Sequence, residues 1–528
     1  MSKTPYTSKK MPVKDEQSSP GNGHDAERKA LQEALPGLRL DQDATELLTT
    51  LWTAVSGDVS DDVPAVEVAR TLVSRLGDVS GWESARVQSA RSALKRYLLE
   101  QGAPVGSTEE AALPALLAAV QDGGLEIGLT FGGQAVAYIG ELADVYQRSP
   151  RAAVVIEAVA AHLAQAVVEM APSERALYGQ GMDLMAWIED PSSRPTGDYL
   201  ASSCVSQPLI FTTQLAHYLH LGETAYDTPV FYDAVSTTAG HSQGIMTAVF
   251  VAENWRKREV TERAVEYAHY LLWQGVRMQQ SAPARAISPE LAASARETGA
   301  GQPTPMATVT GMTLEELDQV LTSLPVDLAV TLDNTRLRKV VSGMPEDLDL
   351  LRAALMAQTE RLNKARAAGK QGGRVPQVGF EYLPVSAPFH SRYMAEGMAA
   401  MRADVERIGF DVLGKDLGLT VLDSRTGAPC TDKGSLVEHL LRWQFVETVG
   451  WYSTSASLDK VGVRYVLDLG PGDVVMRLSA SNLRGTDVVV VPVATPRGMA
   501  DALDTQRPPR AMQPAYTRYR PRLLETPD

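Results

Sequence analysis

Cysteine is almost missing from this chain of 528 residues, which has only Cys204 and Cys430. Two cysteines cannot build a disulfide framework or, by themselves, a zinc site, so we expect a reducing, cytoplasmic setting. No run reaches the roughly 18 apolar residues that predict a membrane span. The N-terminus also lacks the apolar core of a signal peptide, and we predict a disordered leader over residues 1–27.

Positive charge is in short supply too, since 50 lysines and arginines face 64 acidic residues and the net charge is −14. This balance argues against nucleic acid as a partner, because phosphate contacts need clustered lysine and arginine. The 44% hydrophobic and 22% charged content is that of a soluble globular protein. The length allows one large domain with insertions, or two to four ordinary domains.

Residue patterns divide the chain into regions of different character. Residues 28–120 show helical spacing of apolar residues, and residues 125–131 predict a short strand that runs into glycines. Residues 302–390 predict the order β-α-β-β-α-β of a ferredoxin-like unit. Further buried strands are predicted around residues 419–424, 465–473 and 487–494.

The stretch GHSQG, residues 240–244, fits the GxSxG pattern of a nucleophile elbow. An elbow needs a strand before it and a helix after it. The apolar run IMTAVFVAENW supplies the helix, whereas the preceding DAVSTTA is short and polar. Glycines suit a turn this sharp because they carry no Cβ atom. The alternative interpretation of Ser242 is a helix N-cap between chance glycines.

A nucleophilic serine needs a base, and His390 in SAPFHSRYM is the candidate because it follows a predicted strand and Pro388. A plain loop histidine remains the alternative. The other histidines fit less well: His241 adjoins the serine and should point away from it, and His24 falls in the leader. The rest fall in apparent helices, namely His162, His217, His220, His269 and His439.

An oxyanion needs two hydrogen-bond donors. The backbone N–H of Gln243, directly after the serine, is one candidate. The FGGQ turn at residues 131–134 offers a second, because glycines let a backbone approach a ligand closely; a simple connecting turn is the alternative. GxGxxG is absent, so this turn does not predict a dinucleotide site.

FGGQ, GHSQG and SAPFHS, in this order, resemble the malonyl/acetyl transferases of fatty acid and polyketide synthases. Further blocks, among them SQPLIFTTQLAHYL, VTLDNTRLRKVVSG and VLDLGPGD, resemble the N-terminal acetyltransferase domain of the fungal-type fatty acid synthase β chain, which bacterial type I synthases also carry in related form. The resemblance is strong over about residues 120–500 and loose over residues 30–120.

The resemblance implies an α/β fold with an α/β-hydrolase-like acyltransferase core and an inserted ferredoxin-like subdomain, behind a small helical region. The expected parts are a leader (1–27), a helical region (28–120), the core (121–301 and 391–500), the insert (302–390) and a C-terminal linker (501–528). The linker is similar to the one that leads into the enoyl reductase domain in that family.

Residue roles follow from the same resemblance. Ser242 is implied as the acylated nucleophile and His390 as its base, held by a backbone carbonyl, with Gln134 and Gln243 at the oxyanion hole. Supporting turns are expected at Gly240, Gly244, Gly470 and Gly472. The implied partners are acyl-CoA as substrate, a phosphopantetheinylated acyl carrier protein and other synthase domains, with no bound cofactor, metal, nucleic acid or membrane.

The acyl group is predicted from one position. Malonyl-specific relatives hold the free carboxylate with an arginine that precedes a glycine in the helix after the elbow, and here that dipeptide is Gln274-Gly275. A buried carboxylate beside a neutral glutamine would be unpaired, so we expect a neutral group, acetyl. A polar or larger starter, or a plain helical role for Gln274, stays open. Arg277 should face elsewhere.

Two basic stretches are candidate phosphate sites, WRKR at 255–258 and a flexible loop at 361–374, although solvated surface charge explains each as well. Three other functions compete with the starter acyltransferase. They are a malonyl transferase, a serine hydrolase or thioesterase that uses the same dyad on water, and a noncatalytic interaction module.

Overall fold

The computed structural model describes residues 113–510 except 135, 258, 283–286 and 370–376, together with residues 24–35, 42–55 and a few single positions between 38 and 101. Its N-terminal part contains two helices, α1 (His24–Ala34) and α2 (Gln42–Val55). The predicted leader to residue 27 is therefore too long, because α1 begins at His24. Residues 1–23 and most of the predicted helical region lie outside the described residues.

The next part of the chain alternates helices with two strands. Its elements are α3 (Ala115–Gly123), β1 (Glu126–Phe131), α4 (Ile139–Arg148), α5 (Pro150–Glu169), α6 (Pro172–Arg175), α7 (Leu184–Glu189), α8 (Gly197–Ala201), α9 (Ser203–Leu221), α10 (Pro229–Ala234), β2 (Val235–Gly240), α11 (Gly244–Glu253), α12 (Thr261–Ser281) and α13 (Pro289–Glu297). Short 3-10 turns cover Ala176–Tyr178 and Pro191–Ser193.

The remaining elements are β3 (Met306–Thr310), α14 (Leu314–Ser323), β4 (Ala329–Thr335), β5 (Arg338–Ser342), α15 (Pro345–Ala367), β6 (Gly379–Tyr382), α16 (Ala395–Ile408), β7 (Thr420–Val421), α17 (Val437–Phe445), α18 (Trp451–Lys460), β8 (Val463–Asp468), α19 (Val474–Asn482), β9 (Val489–Val491) and α20 (Pro496–Leu503). Short 3-10 turns cover Arg392–Met394 and Gly414–Asp416.

A five-stranded parallel sheet in the order β7-β2-β1-β8-β9 forms the centre of the larger unit, whose apolar core is drawn mostly from residues 116–278 and 385–502. Strands β1 and β8 are apolar and almost wholly buried, as expected for parallel strands covered by helices on both faces. Because all five strands are parallel, their carboxyl ends meet at one edge, where α/β sheets bind ligands.

Residues 306–382 have the order β-α-β-β-α-β that the sequence predicted over residues 302–390. Together with α13, whose Ala295 lies in the same apolar cluster, they form the smaller unit. Its four strands pair antiparallel in the order β4-β5-β3-β6, which we call the small sheet. One face packs against α14 and α15 in a separate apolar cluster that includes Val309, Leu317 and Leu348. Helix α14 begins with the predicted capping box of Thr313 and Glu316.

The predicted unit boundaries need small corrections. Helix α3 belongs to the apolar core of the larger unit through Leu116, Leu117 and Val120, so this core begins before residue 121. Helix α20 carries the core past residue 500 into the predicted linker. Residues 511–528 of that linker lie outside the described residues.

Helix α5 is long and apolar enough to cross a membrane by length and composition, although the sequence reading predicted no span. Ten of its residues are buried, and it packs against α9 and α12 inside the protein core. Burial of this kind is that of a core helix.

Candidate active site

Ser242 lies in a sharp turn between β2 and α11, at the edge where the parallel strands end. The entry strand that an elbow needs is therefore present as β2, although its sequence is short and polar. Ser242 has φ of 54°, a left-handed conformation that is costly for a residue with a side chain. A Cβ atom at Gly240 would lie 2.0 Å from the Ile245 nitrogen, and one at Gly244 would lie 2.3 Å from the Phe131 oxygen. Only glycine fits at either position.

His390 meets the serine directly, with its Nε2 atom 2.7 Å from the Ser242 Oγ atom. Its Nδ1 atom lies 3.1 Å from the backbone oxygen of Glu447. A carbonyl oxygen can only accept, so Nδ1 carries the proton and Nε2 is left free to accept the serine proton. His390 also has a positive φ, 57°. Both partners thus hold strained backbone conformations, which cluster at functional sites.

Burial decides the charge of His390. Its side chain is 3% exposed, and desolvation, aided by the nearby His241, lowers its pKa from 6.5 to about 4. The imidazole is therefore neutral at physiological pH and can act as a base. The structure brings together the two residues proposed as the dyad.

No carboxylate of the described residues bonds to His390. The buried Asp468, at the end of β8, instead accepts hydrogen bonds from the Thr130 hydroxyl at 2.9 Å and the Gly470 backbone N–H at 3.3 Å. Burial raises its pKa to about 7. Asp468 thus supports a neighbouring turn, and the contact between Ser242 and His390 involves no carboxylate of the described residues.

The FGGQ turn lies against the serine. A Cβ atom at Gly133 would sit 3.1 Å from the Ser242 Cβ atom, and the His241 backbone N–H donates to the Phe131 oxygen at 2.9 Å. Within the described part of the chain, the backbone N–H groups of Gln134 and Gln243 donate no hydrogen bond. Two free donors next to the nucleophile suit an oxyanion hole, which remains a prediction for these residues.

The LGPG turn, residues 469–472, is hydrogen-bonded to the FGGQ turn. The Gly470 oxygen accepts from the Gly132 backbone N–H at 2.8 Å, and Gln214 donates to the oxygens of both residues. The Gly472 N–H donates to Glu141, whose pKa burial raises to about 7. Gly470 and Gly472 both have positive φ, so these positions favour glycine.

Four glutamines form a buried chain of side-chain amides that we call the amide network. Gln207 donates to Gln134 at 2.9 Å, Gln274 donates to Gln207 at 3.0 Å and to Gln444 at 3.1 Å, and Gln444 donates to the Ser242 backbone oxygen at 2.8 Å. The network therefore runs from the FGGQ turn to the nucleophile. Every member is neutral.

Gln274 is fully buried, on α12, the second helix after the elbow rather than the first. Gly275, next to it, lets α12 approach α9, because a Cβ atom there would lie 2.3 Å from the Ser203 oxygen. Arg277 points elsewhere, as predicted, and pairs with Asp404 at 2.5 Å and Glu174 at 3.0 Å.

The small sheet contributes contacts to the neighbours of both dyad residues. Asn334 on β4 accepts from the His241 Nε2 atom at 2.7 Å, and Ser342 on β5 donates to the Phe389 backbone oxygen at 3.1 Å. His241 therefore points away from the dyad, as predicted. The sequence did not predict roles for Asn334, Ser342, Gln207 and Gln444, because local spacing gives no signal that connects residues so far apart in the chain.

The two predicted basic stretches do not form one site. Arg256 pairs with Asp233 at 2.6 Å, and Lys257 donates to Asn254 at 3.3 Å. The predicted loop at 361–374 is helical through Ala367, because α15 runs that far, and its basic residues from 370 on lie outside the described residues. Among the described side chains, no group of three or more potential metal ligands occurs.

Comparison with known proteins shows which proteins this chain resembles. Residues 129–361 match the family described as starter unit:ACP transacylase in aflatoxin biosynthesis. The chain is 29% identical over 374 residues to the fatty acid synthase β subunit TOXC of Cochliobolus carbonum, which covers 68% of the chain. It is 28% identical over 402 residues to the fatty acid synthase β subunit of Saccharomyces cerevisiae, which covers 72%.

These matches span 18% and 19% of the two relatives, so the chain covers about a fifth of their length. Among solved structures, the malonyl CoA-acyl carrier protein transacylase of Coxiella burnetii is similar, with 18% identity, a TM-score of 0.51, and coverage of 75% of this chain and 98% of that one. The transferase of Bartonella henselae gives 20% identity and the same TM-score, with coverage of 72% and 98%. These likenesses show a shared α/β fold with a parallel sheet.

Proposed function

We propose that this chain, a relative of the fungal fatty acid synthase β subunits, is an acyltransferase that moves a neutral starter acyl group from CoA to an acyl carrier protein. The observation that carries the proposal is the 2.7 Å contact between the Ser242 Oγ and His390 Nε2 atoms, at the carboxyl edge of the parallel sheet. We also infer a hydrolase-like core with a ferredoxin-like insert, since the small sheet has the fitting element order.

The first half-reaction loads the serine. His390 takes the Ser242 hydroxyl proton, and the Oγ atom attacks the thioester carbonyl carbon. The tetrahedral oxyanion accepts hydrogen bonds from the backbone N–H groups of Gln134 and Gln243. The C–S bond then breaks, the CoA sulfur takes the proton from His390, and an acyl-serine ester remains.

The second half-reaction unloads the serine by the same atoms in reverse. The carrier's phosphopantetheine thiol gives its proton to His390 and attacks the ester carbonyl. The C–O bond breaks, and Ser242 recovers the proton from His390. Water could attack the same ester, but His390 is buried and Ser242 is only partly exposed, and this restricted access of water favours transfer over hydrolysis.

The amide network supports a neutral acyl group. The resemblance implies that Gln274 stands where malonyl-specific relatives carry arginine. Its amide N–H₂ group is committed to Gln207 and Gln444. Arg277, one turn further on, is bound to Asp404 and Glu174. A malonyl carboxylate placed beside Gln274 would be buried without a cation, at a cost of several kcal/mol. Acetyl meets no such penalty.

CoA and the carrier enter this proposal as substrates, and no resident cofactor is proposed. We place the reaction in the cytoplasm because Cys204 and Cys430 are both free thiols. Other synthase domains are proposed as partners because the relatives are synthase subunits.

Intact mass spectrometry tests the proposal. The protein is incubated with acetyl-CoA, beside a Ser242→Ala variant as control. We expect an acetyl adduct on the parent protein and none on the variant. Release of free acetate without an adduct would indicate a hydrolase, and intact acetyl-CoA with no adduct would contradict the acetyl proposal.

A further inference from the structure

The small sheet turns one face toward the larger unit, and Arg338 lies on that face. Successive residues of a strand point to opposite faces. On β5, Ser342 bonds to Phe389 next to His390, and Val340 packs in the apolar cluster of the larger unit. Arg338 has the same parity, and the pairing of β5 with β3 is unbroken from Ser342 to Arg338. The side chain of Arg338 therefore lies on the face of the small sheet that contacts the larger unit.

The β4–β5 hairpin places Arg338 near the elbow. Arg338 pairs with Thr335, and the adjacent Asn334 contacts His241 at 2.7 Å, one residue before the nucleophile. The positive charge of Arg338 contributes to the lowered pKa of His241, after burial as the main cause. Arg338 thus lies within electrostatic reach of the site while belonging to the hairpin at its rim.

Arg338 is half-buried and Arg336, at the turn, is exposed, and within the described part of the chain neither forms an ion pair. Other cations near the site are occupied: Arg277 binds Asp404, and Lys339 binds Asp333. In a chain with net charge −14, two unpaired arginines at a site rim are suited to an anion.

We propose that Arg338, with Arg336, binds the phosphate ester at the end of a 4′-phosphopantetheine arm, whether the arm belongs to CoA or to a carrier protein. This inference rests on the proposed function. The arm is a thin, uncharged chain between a thiol and a phosphate, so a thiol at Ser242 leaves the phosphate well away from the dyad. Arg338 is four residues from Ser342, roughly 13 Å along the strand. A planar guanidinium suits phosphate oxygens.

The test is a binding titration that needs no catalysis. CoA and pantetheine share the arm, and both are titrated by calorimetry into the full chain and into the variant Arg338→Ala. Because CoA also carries adenosine and further phosphates, 4′-phosphopantetheine, which differs from pantetheine by one phosphate only, is titrated beside them and should behave as CoA does. We expect the Kd for CoA to rise about tenfold and the Kd for pantetheine to stay within twofold. Arg402→Ala, which removes an exposed arginine paired with Glu438, is the matched control and should change neither.

Two further titrations identify the source of the phosphate and the role of the positive charge of Arg338. Holo carrier protein should lose affinity for Arg338→Ala as CoA does, and apo carrier protein, which has no arm, should not. Arg338→Lys should recover most of the CoA affinity. Equal losses for CoA and pantetheine, or no loss for CoA, would overturn the proposal. Failure of acetyl-CoA to acylate Ser242 would overturn the proposed function without deciding this titration.

Discussion

The two sheets of this molecule stand in contrast at the same site. The parallel sheet positions the proposed nucleophile, because the turn after β2 carries Ser242. The small sheet supplies no atom of the dyad, yet it bonds to His241 and to Phe389, the residues that directly precede Ser242 and His390. The parallel sheet thus ends in the strained turn that carries Ser242. The small sheet fixes the backbone just before Ser242 and His390, the two residues with positive φ.

The largest effect should come from the parallel sheet. Gly240→Ala puts a Cβ atom 2.0 Å from the Ile245 nitrogen, so the elbow must shift. We expect Ser242 acylation to fall about 100-fold or more, and the free energy of unfolding to fall by about 2–4 kcal/mol. Mass spectrometry and denaturant unfolding measure the two.

Gly140→Ala is the matched control, since Gly140 is exposed on α4 and a Cβ atom there meets nothing within 4 Å. Alanine should keep activity and raise stability by about 0.5–1 kcal/mol. Equal behaviour of the two variants would show that the elbow tolerates a side chain, against the geometry described above.

A smaller effect should come from the small sheet. Asn334→Ala removes the acceptor of the His241 Nε2 atom, so the residue before the nucleophile loses its anchor. We expect kcat to fall about tenfold, with a loss of about 1–2 kcal/mol in unfolding free energy. The KM for acyl-CoA should change little, because Asn334 touches no proposed substrate group.

Thr313→Ala removes the cap of α14 in the same unit, away from the dyad, and should cost about 1 kcal/mol. Its kcat should match that of the parent protein. If Asn334→Ala and Thr313→Ala lowered kcat by the same factor, the small sheet would act through stability alone. Its proposed role in positioning His241 would then be wrong.

The smallest effect should be that of pH on the acylation rate, because burial keeps His390 neutral over most of the accessible pH range. His390 must be unprotonated to accept the serine proton, and its pKa is lowered to about 4. The acylation rate should therefore stay constant down to about pH 5 and be halved near pH 4. Between pH 6.5 and 4 the unfolded chain binds a proton that folded His390 does not, so this residue reduces stability as pH falls through that window.

Rapid acylation measurements in buffers from pH 4 to 8, with circular dichroism to follow folding, give this profile. An inflection near pH 6.5 in the folded protein would mean an ordinary, solvated histidine. That result would contradict the burial of His390 by both sheets.

The sequence predicted the contact between Ser242 and His390 but not the residues that support it. GHSQG and SAPFHS carry local signals, glycines around a serine and a histidine after a strand, so Ser242 and His390 could be named. The resemblance implied a carbonyl partner for His390, but the oxygen of Glu447 could not be identified, because backbone atoms leave no residue-specific signal. The amide network joins glutamines up to 310 positions apart, from Gln134 to Gln444, and such pairing depends on the fold.

The small unit was predictable because its strands and helices alternate over short distances, with a capping box at α14. The leader and the loop at 361–374 were misjudged for the opposite reason. Their polar, charged sequences are typical of loops, yet α1 begins at His24 and α15 continues to Ala367, so polar helices were read as irregular chain.

The central claim is that a neutral starter group is loaded on Ser242, and a competition experiment tests it most directly. Limiting protein is mixed with equal acetyl-CoA and malonyl-CoA, quenched within one turnover and analysed by intact mass. We expect the acetyl adduct to dominate by about tenfold or more, because Gln274 and the amide network offer a carboxylate no cation. A dominant malonyl adduct that disappears in Ser242→Ala would contradict it.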